Sequence, residues 1–465
     1  MRNRLNILIL IALMTCGTLS AQHSTTLYYM TGVPQRAFVN PALQPDARFF
    51  MGMPGFSMVQ LQVGNTGFAF NDVVVRSDTT FTIDMDRMLK QMPQVGSLYA
   101  NLNYQPLAFG FRFLKRNYFT FSMNPVVTQE FYYPKDLFGL IWKGNGHEDY
   151  LGKRISFNGM GMEFSLTNEI SVGYSLQLTK RLTLGARYRH INGLVNIHTE
   201  KFTAGITTDA TTFAMEVDLD AKISASAPFV NFDSITSFDV GQYTTQEWID
   251  KSLEYLLKNQ GYAIDAGFSY TLLKKIFISG SVNNIGSITW AGNPFSLQSK
   301  GSFNFNGIDV TGMINGDSTE TFDPQMLLDS LTKSFSVDTL RNSYTQRLNP
   351  SANLGVALYI TNDDAVGFLW RNYFYQGRWY PKMTLSYNHR FGRILSLTAI
   401  YDIEQGSYRN FGAGMALKLG PVQYYLMTDN ALAFAYPFDA KKVTLMTGIN
   451  WVFGTKPKKE SGSSL

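Results

Sequence analysis

Residues 169–191 alternate strictly between apolar and polar side chains, and no other feature restricts the folds open to this chain as much. Ile170, Val172, Tyr174, Leu176 and Leu178 fall on one face, with Ser171, Gly173, Ser175, Gln177 and Thr179 on the other. After Thr179-Lys180-Arg181 the pattern resumes, with Leu182, Leu184, Ala186 and Tyr188 opposite Thr183, Gly185, Arg187 and Arg189. Successive side chains of a strand point to opposite faces, so this is a two-faced hairpin. Each arm runs about nine residues, close to the roughly 9–11 that a tilted strand needs to cross a bilayer. Strands of soluble sheets usually run about five or six. One hairpin fits either solvent, and its repetition decides.

The pattern recurs at 107–113 and 119–123, at 155–164, and at 262–270 and 276–282. It returns at 354–360, 365–370, 382–390, 395–401, 411–419, 422–428 and 443–453. Weaker candidates lie at 49–60, 67–75, 211–219 and 302–310. The expected fold is all-β, a single transmembrane antiparallel β-barrel of about 14 strands, with 16 as the alternative, because closed bacterial barrels usually have an even count. Closure is required, since an open sheet edge in hydrocarbon leaves its amides unpaired. Short turns at 115–117, 179–181, 392–393 and 420–421 alternate with long segments at 192–261, 284–349 and 429–442, as in such barrels. A soluble propeller would carry an internal repeat, which is absent. Helical spacing at 84–90, 246–259 and 324–330 places short helices in the long loops. Trp248, Ile249, Leu253, Leu256 and Leu257 form one stripe that would pack over the barrel mouth or, less favoured, dock a partner.

The N-terminus explains how such a chain reaches a membrane. Arg2 and Arg4 precede an apolar run from residue 5 to 14 and a small Ala21, which describes a secretory signal peptide over 1–21. Cys16 permits a lipoprotein reading, but Thr15 before it fits that site poorly. As the only cysteine, it leaves the mature chain without a disulfide or thiolate metal site. Removing Arg2 and Arg4 from 40 basic residues leaves 38 against 35 acidic, a net charge of +3, which is no electrostatic footprint for nucleic acid. Residues 22–48 lack periodicity and read either as a lead-in loop or as a plug within the barrel, residues 49–454 as the barrel with insertions at 192–261 and 284–349, and 455–465 as a flexible tail.

Chemistry-bearing motifs are sparse. The five histidines, His23, His147, His190, His198 and His389, show no metal-ligand spacing and read as strand-end or surface residues. Ser386 and His389 are three apart on one strand and so face opposite ways. No nucleophile elbow or phosphate loop occurs, so the reading is a non-enzyme without a cofactor. The polar faces are more informative. Arg112, Glu163, Gln177, Arg187, Arg189, Asp265, Lys382, Arg390, Lys418 and Asn450 would face the lumen, either paired across a packed interior or lining a pore. Aromatic clusters at 131–133, 373–375 and 379–380 read as interfacial girdles.

The Ala-Gln at the expected cleavage point, the early Asn40-Pro41-Ala42 and the closing Gly448-Ile449-Asn450-Trp451-Val452-Phe453-Gly454 resemble exported barrels of Bacteroidota. Within these the chain resembles an uncharacterised outer-membrane family, distantly similar to FadL-type long-chain fatty acid transporters and PorV-type secretion-associated barrels. The FadL likeness implies an inner N-terminal plug, with Asn40, Pro41 and Ala42 as matching positions, and an apolar pathway. Phe453 matches the terminal aromatic read by the outer-membrane barrel assembly machinery, although residues 454–465 follow it. The resemblance implies a channel for small hydrophobic or amphipathic molecules, in contact with outer-membrane lipids. The alternative is a non-catalytic scaffold that binds exported or envelope proteins through its long loops.

Overall fold

The computed structural model describes residues 24–76, 80–228, 230–232, 238–240, 244–273, 275–306, 334–375, 378–404 and 407–454. The signal peptide, the 324–330 helix and the tail fall outside them. Fourteen antiparallel strands close into one barrel. The first, β1, is broken into Phe49–Gly52 and Met58–Asn65, and β2 into Val95–Gln105 and Leu107–Phe113. Then follow β3 (Asn117–Pro134), β4 (Gly161–Gln177), β5 (Leu182–Thr208), β6 (Gln260–Leu272) and β7 (Ile276–Trp290). The last seven are β8 (Ser351–Tyr359), β9 (Asp364–Tyr375), β10 (Arg378–Phe391), β11 (Leu395–Glu404), β12 (Ser407–Leu419), β13 (Val422–Thr428) and β14 (Lys442–Phe453). Pairing of Phe49 with Phe453 and of Val59 with Thr447 closes the ring.

Tight turns gather at one end of the barrel. Gly392 and Gly420 take φ of 57° and 58° there, a left-handed conformation that glycine adopts without steric cost and that short hairpins require. Long connections gather at the other end. The outer face carries an apolar belt, with Ile170, Val172 and Tyr174 on β4, Leu184 and Tyr188 on β5, and Tyr262, Ile264 and Phe268 on β6 all exposed. A closed ladder with an apolar exterior is the β-structure that hydrocarbon tolerates, and the architecture is that of a transmembrane β-barrel. No described helix is long and apolar enough to cross a membrane.

The described parts of the expected insertions at 192–261 and 284–349 are largely extensions of the sheet. Beyond Gly193, β5 leaves β6 and pairs instead with Met215–Ser226. That strand pairs with Pro294–Phe305, which in turn holds Ser336–Leu340. The break in rhythm is therefore an exchange of partner above the apolar belt, marked by a register shift at Gly193/Val195. The loop helices expected at 84–90 and 246–259 form at Met85–Gln91 and Thr245–Lys258, and a further one that the spacing does not announce forms at Lys135–Lys143. Thr244 and Glu247 cap the Thr245 helix reciprocally. The 67–75 strand candidate is instead a helical turn at Phe70–Val73 followed by Val74–Arg76.

The 131–133 aromatics depart from a lipid girdle. Tyr132 and Tyr133 are buried, and Tyr133 packs with Met88, Leu89, Phe68 and Phe138 because β3 runs past the belt beneath the 66–94 connection. The side chains of residues 373–375 lie outside the described set, and Trp379 is exposed.

Candidate functional site

Residues 24–48 occupy the lumen and are not wholly irregular, forming one helical turn at Thr25–Tyr29 and a 3-10 turn at Pro34–Phe38. Leu27, Tyr28, Met30, Val33, Val39 and Leu43 are buried against Met58, Leu369, Tyr425, Met427 and Met446 of the wall. The segment begins near the loop end. There the Asp429 carboxylate accepts hydrogen bonds from Ser24 Oγ at 2.5 Å, Thr25 N at 3.0 Å, and Thr26 N and Oγ1 at 3.0 and 2.8 Å. It descends to the turn end, where Arg112 donates to Gln44 Oε1 at 2.6 Å and Pro45 O at 2.7 Å, and Arg390 reaches Asp46 at 3.5 Å.

Asn40, Pro41 and Ala42 fill a notch made by two glycines that face each other across β5 and β6, Gly185 and Gly267. A Cβ on Gly185 would lie 2.4 Å from the Pro41 carbonyl, and one on Gly267 would lie 2.1 Å from Asn40 Oδ1. Asn40 Oδ1 accepts from Ala42 N at 2.9 Å and its Nδ2 donates to Gly280 O at 3.1 Å, so the side chain both shapes the turn and ties it to β7. Tyr28 and Tyr29 lie over Gly355 and Gly367 in the same way.

Most lumen-facing charges pair. Arg187 meets Asp265 at 2.6 Å, and Arg189 bridges Asp265 at 3.2 Å and Glu169 at 2.8 Å, with Asn284 N donating to Asp265 at 2.8 Å. Glu163 holds His198 at 2.6 Å and accepts from Gln346 Nε2. Outside the belt, burial pushes the His198 pKa down, but the Glu163 and Glu200 carboxylates more than offset this and leave it raised. Asn450 exchanges hydrogen bonds with Gln35 of the inner segment at 2.6 and 2.9 Å. Lys418 is half-buried near the turn end, Gln177 sits at the last position of β4, and Phe453 ends β14 half-exposed beside the Phe49 ring.

A second network contains residues the periodicity does not reach. Lys382 contacts Asp402 at 2.7 Å and Asp429 at 3.7 Å, and Lys442 contacts Glu404 at 2.5 Å and Asp402 at 3.8 Å. Asp402 and Glu404 continue the inward parity of Ser396 and Thr398, so extending the 395–401 strand by three residues finds them. Lys442 sits one residue before the expected start of β14. Lys382, Glu404 and Lys442 border a cavity of about 70 Å³ lined also by Tyr99, Asn101, Glu130 and Arg371. That is room for several waters, since one needs about 10–15 Å³. Ser386 is buried on the inward face of β10 while His389 faces outward onto Asp364. Among the described residues no three metal-ligating side chains converge.

Solved structures resemble the chain at low identity. A Pseudomonas aeruginosa FadL homologue is 10% identical over 94% of this chain and 100% of that one, with a TM-score of 0.44. The Ralstonia pickettii toluene transporter TbuX is 9% identical over 90% and 94%, with a TM-score of 0.41. The Pseudomonas putida toluene transporter TodX is 10% identical over 93% and 94%, with a TM-score of 0.37. No curated protein matches the sequence. The family model that does match spans residues 41–429, and the chain belongs to this family of unknown function, DUF5723.

Proposed function

We propose that this outer-membrane barrel passes a small amphipathic molecule inward from its loop end, with residues 24–48 as the plug that must shift. The observation that carries this reading is the contact between the polar cavity network and the start of the inner segment, through Lys382 and Asp429. The mouth offers Lys382, Lys442, Glu404 and Asn101 to a polar headgroup. Displacing the segment would uncover Leu369, Tyr425, Met427 and Met446, an apolar stretch for the remainder of the molecule. With the segment in place the 70 Å³ cavity is far below the roughly 300–1,000 Å³ of an ordinary ligand pocket, so passage requires movement.

The test is flux of octanoate and of maltose into liposomes holding the full mature chain. Octanoate should enter faster than into protein-free liposomes, maltose should not, and Lys382→Met with Lys442→Met should slow octanoate. No solute-dependent flux in either the natural chain or Asp429→Ala would refute transport. A second reading, a scaffold for exported proteins, rests on Ser336–Leu340, an exposed strand at the rim of the extension that could add a partner strand. Pull-downs that recover the same proteins with and without residues 334–340 would count against it.

A further inference from the structure

The outer face of β10–β13 carries a concavity that the transport reading does not use. It encloses about 920 Å³ and runs from His389 and Leu397, near the turn end, across Ala399 and Ala413 to Phe434 in the 429–441 loop. It exists because Ala399 and Ala413 are small, lie in one cross-strand row with Tyr387, and point outward between larger neighbours. At its turn end stands a polar cluster on the same lipid-facing surface. The Asp364 carboxylate accepts from Thr361 Oγ1 at 2.6 Å, Tyr387 OH at 2.6 Å and His389 Nδ1 at 2.7 Å. The Phe391 ring, 4.2 Å from the imidazole centroid, fixes the other side of His389. With Nδ1 committed to Asp364, Nε2 is the nitrogen left for an outside partner, and an imidazolium there would donate to an anionic oxygen. Arg393, exposed in the adjoining turn, adds positive charge at the same depth.

We propose that this groove is a specific site for one two-chain phospholipid of the turn-side leaflet, its phosphate on His389 Nε2 and an acyl chain over Ala399 and Ala413. The occupant follows from position. The groove lies within the apolar belt, so hydrocarbon is what surrounds it, and the charged cluster lies at the depth of the tight turns, where headgroups begin. An ordinary stretch of belt would bind lipid without preference for the headgroup.

The experiment is native mass spectrometry of the full mature chain, refolded in detergent and offered phosphatidic acid, diacylglycerol or inorganic phosphate. Folding of every variant is checked by heat-dependent gel mobility. The natural chain should retain one phosphatidic acid about tenfold more strongly than diacylglycerol, the scale of one charge-assisted hydrogen bond. His389→Gln should remove the headgroup preference and keep chain binding. Ala413→Phe, or Ala399→Phe if the first does not fold, should abolish retention of both. Equal retention of the two lipids by the natural chain, unchanged retention in the filled-groove variants, or displacement by inorganic phosphate alone would overturn the proposal. None of these outcomes depends on whether the lumen conducts.

Discussion

Replacing Asp429 with alanine should release the start of the inner segment while leaving the barrel closed. The carboxylate accepts four hydrogen bonds from residues 24–26, two from backbone amides and two from hydroxyls, all at 3.0 Å or less. Bonds to an ionised acceptor contribute about 1.5–3 kcal/mol each, so the four sum to roughly 6–12 kcal/mol. Freeing three residues returns about 1–2 kcal/mol of backbone entropy apiece, roughly 3–6 kcal/mol in all. Like ends of the two ranges differ by about 3–6 kcal/mol, and Lys382 keeps Asp402 at 2.7 Å, so no buried charge is left unpaired. Such a change moves the docked-to-released ratio by roughly 10² to 10⁴. Hydrogen exchange of the full chain in lipid should show amides of residues 25–33 exchanging faster by at least two orders of magnitude, with β14 amides unchanged. Asp429→Asn, which keeps one acceptor oxygen, should fall between. Unchanged protection of 25–33 in both variants would refute the reasoning, since the segment would then be held by its apolar contacts alone.

Gly185→Ala places a methyl 2.4 Å from the Pro41 backbone, which cannot yield as a flexible side chain could. It should cost about 1–3 kcal/mol, read as faster exchange around Asn40 with the urea midpoint of the barrel little changed. Asp265→Ala leaves Arg187 and Arg189 facing each other without their shared carboxylate and should lower barrel stability by about 3–5 kcal/mol in urea unfolding from lipid vesicles. The His198 pKa is raised above its ordinary value of about 6.5. Its pairing with Glu163 therefore stabilises the loop-end extension fully below that pH, and the contribution is lost as pH rises through the folded value. Proteolysis at 194–226 should accelerate over that window, and His198→Gln should abolish the pH dependence.

The barrel is legible in the sequence because lipid and lumen impose opposite demands on alternate residues, and β4 with β5 shows this without ambiguity. Boundaries are less legible. The Asp402–Glu404 and Lys442 positions escape because charged residues at strand ends read as the start of a loop, although their parity still points inward. The sheet extension reads as loop because a strand that changes partners above the membrane no longer needs an apolar outer face. Tyr132 and Tyr133 mislead for a related reason, since an aromatic pair at a strand end looks the same whether lipid or a folded connection lies against it. Ser175 illustrates a deeper limit. From alternation alone an arginine there should reach water in the lumen, but Ser175 is buried and its carbonyl accepts from Gln44 Nε2 at 3.2 Å. The same substitution would instead strike the inner segment.

That limit has a physical origin in what a polar inner wall is for. A wall of Ser, Asn, Gln and paired charges is what a water-filled pore requires, yet here it surrounds a segment whose side chains are largely apolar. The resolution lies in the backbone of residues 24–48, which has little regular secondary structure and so leaves carbonyls and amides that the lumen must satisfy. Gln423 Nε2 donates to Gly32 O at 2.8 Å, Ser269 Oγ to Ala42 O at 3.3 Å, and Asn40 answers Gly280 O. The wall's polar side chains thus take the place of water for an irregular chain, while the segment's own apolar side chains meet the few wall positions, such as Leu369 and Met427, that break the alternation. Apolar residues on the inward parity of an otherwise polar face, together with glycines such as Gly185 and Gly267 that admit the segment's backbone, are therefore the sequence signal of the occupied lumen in this chain.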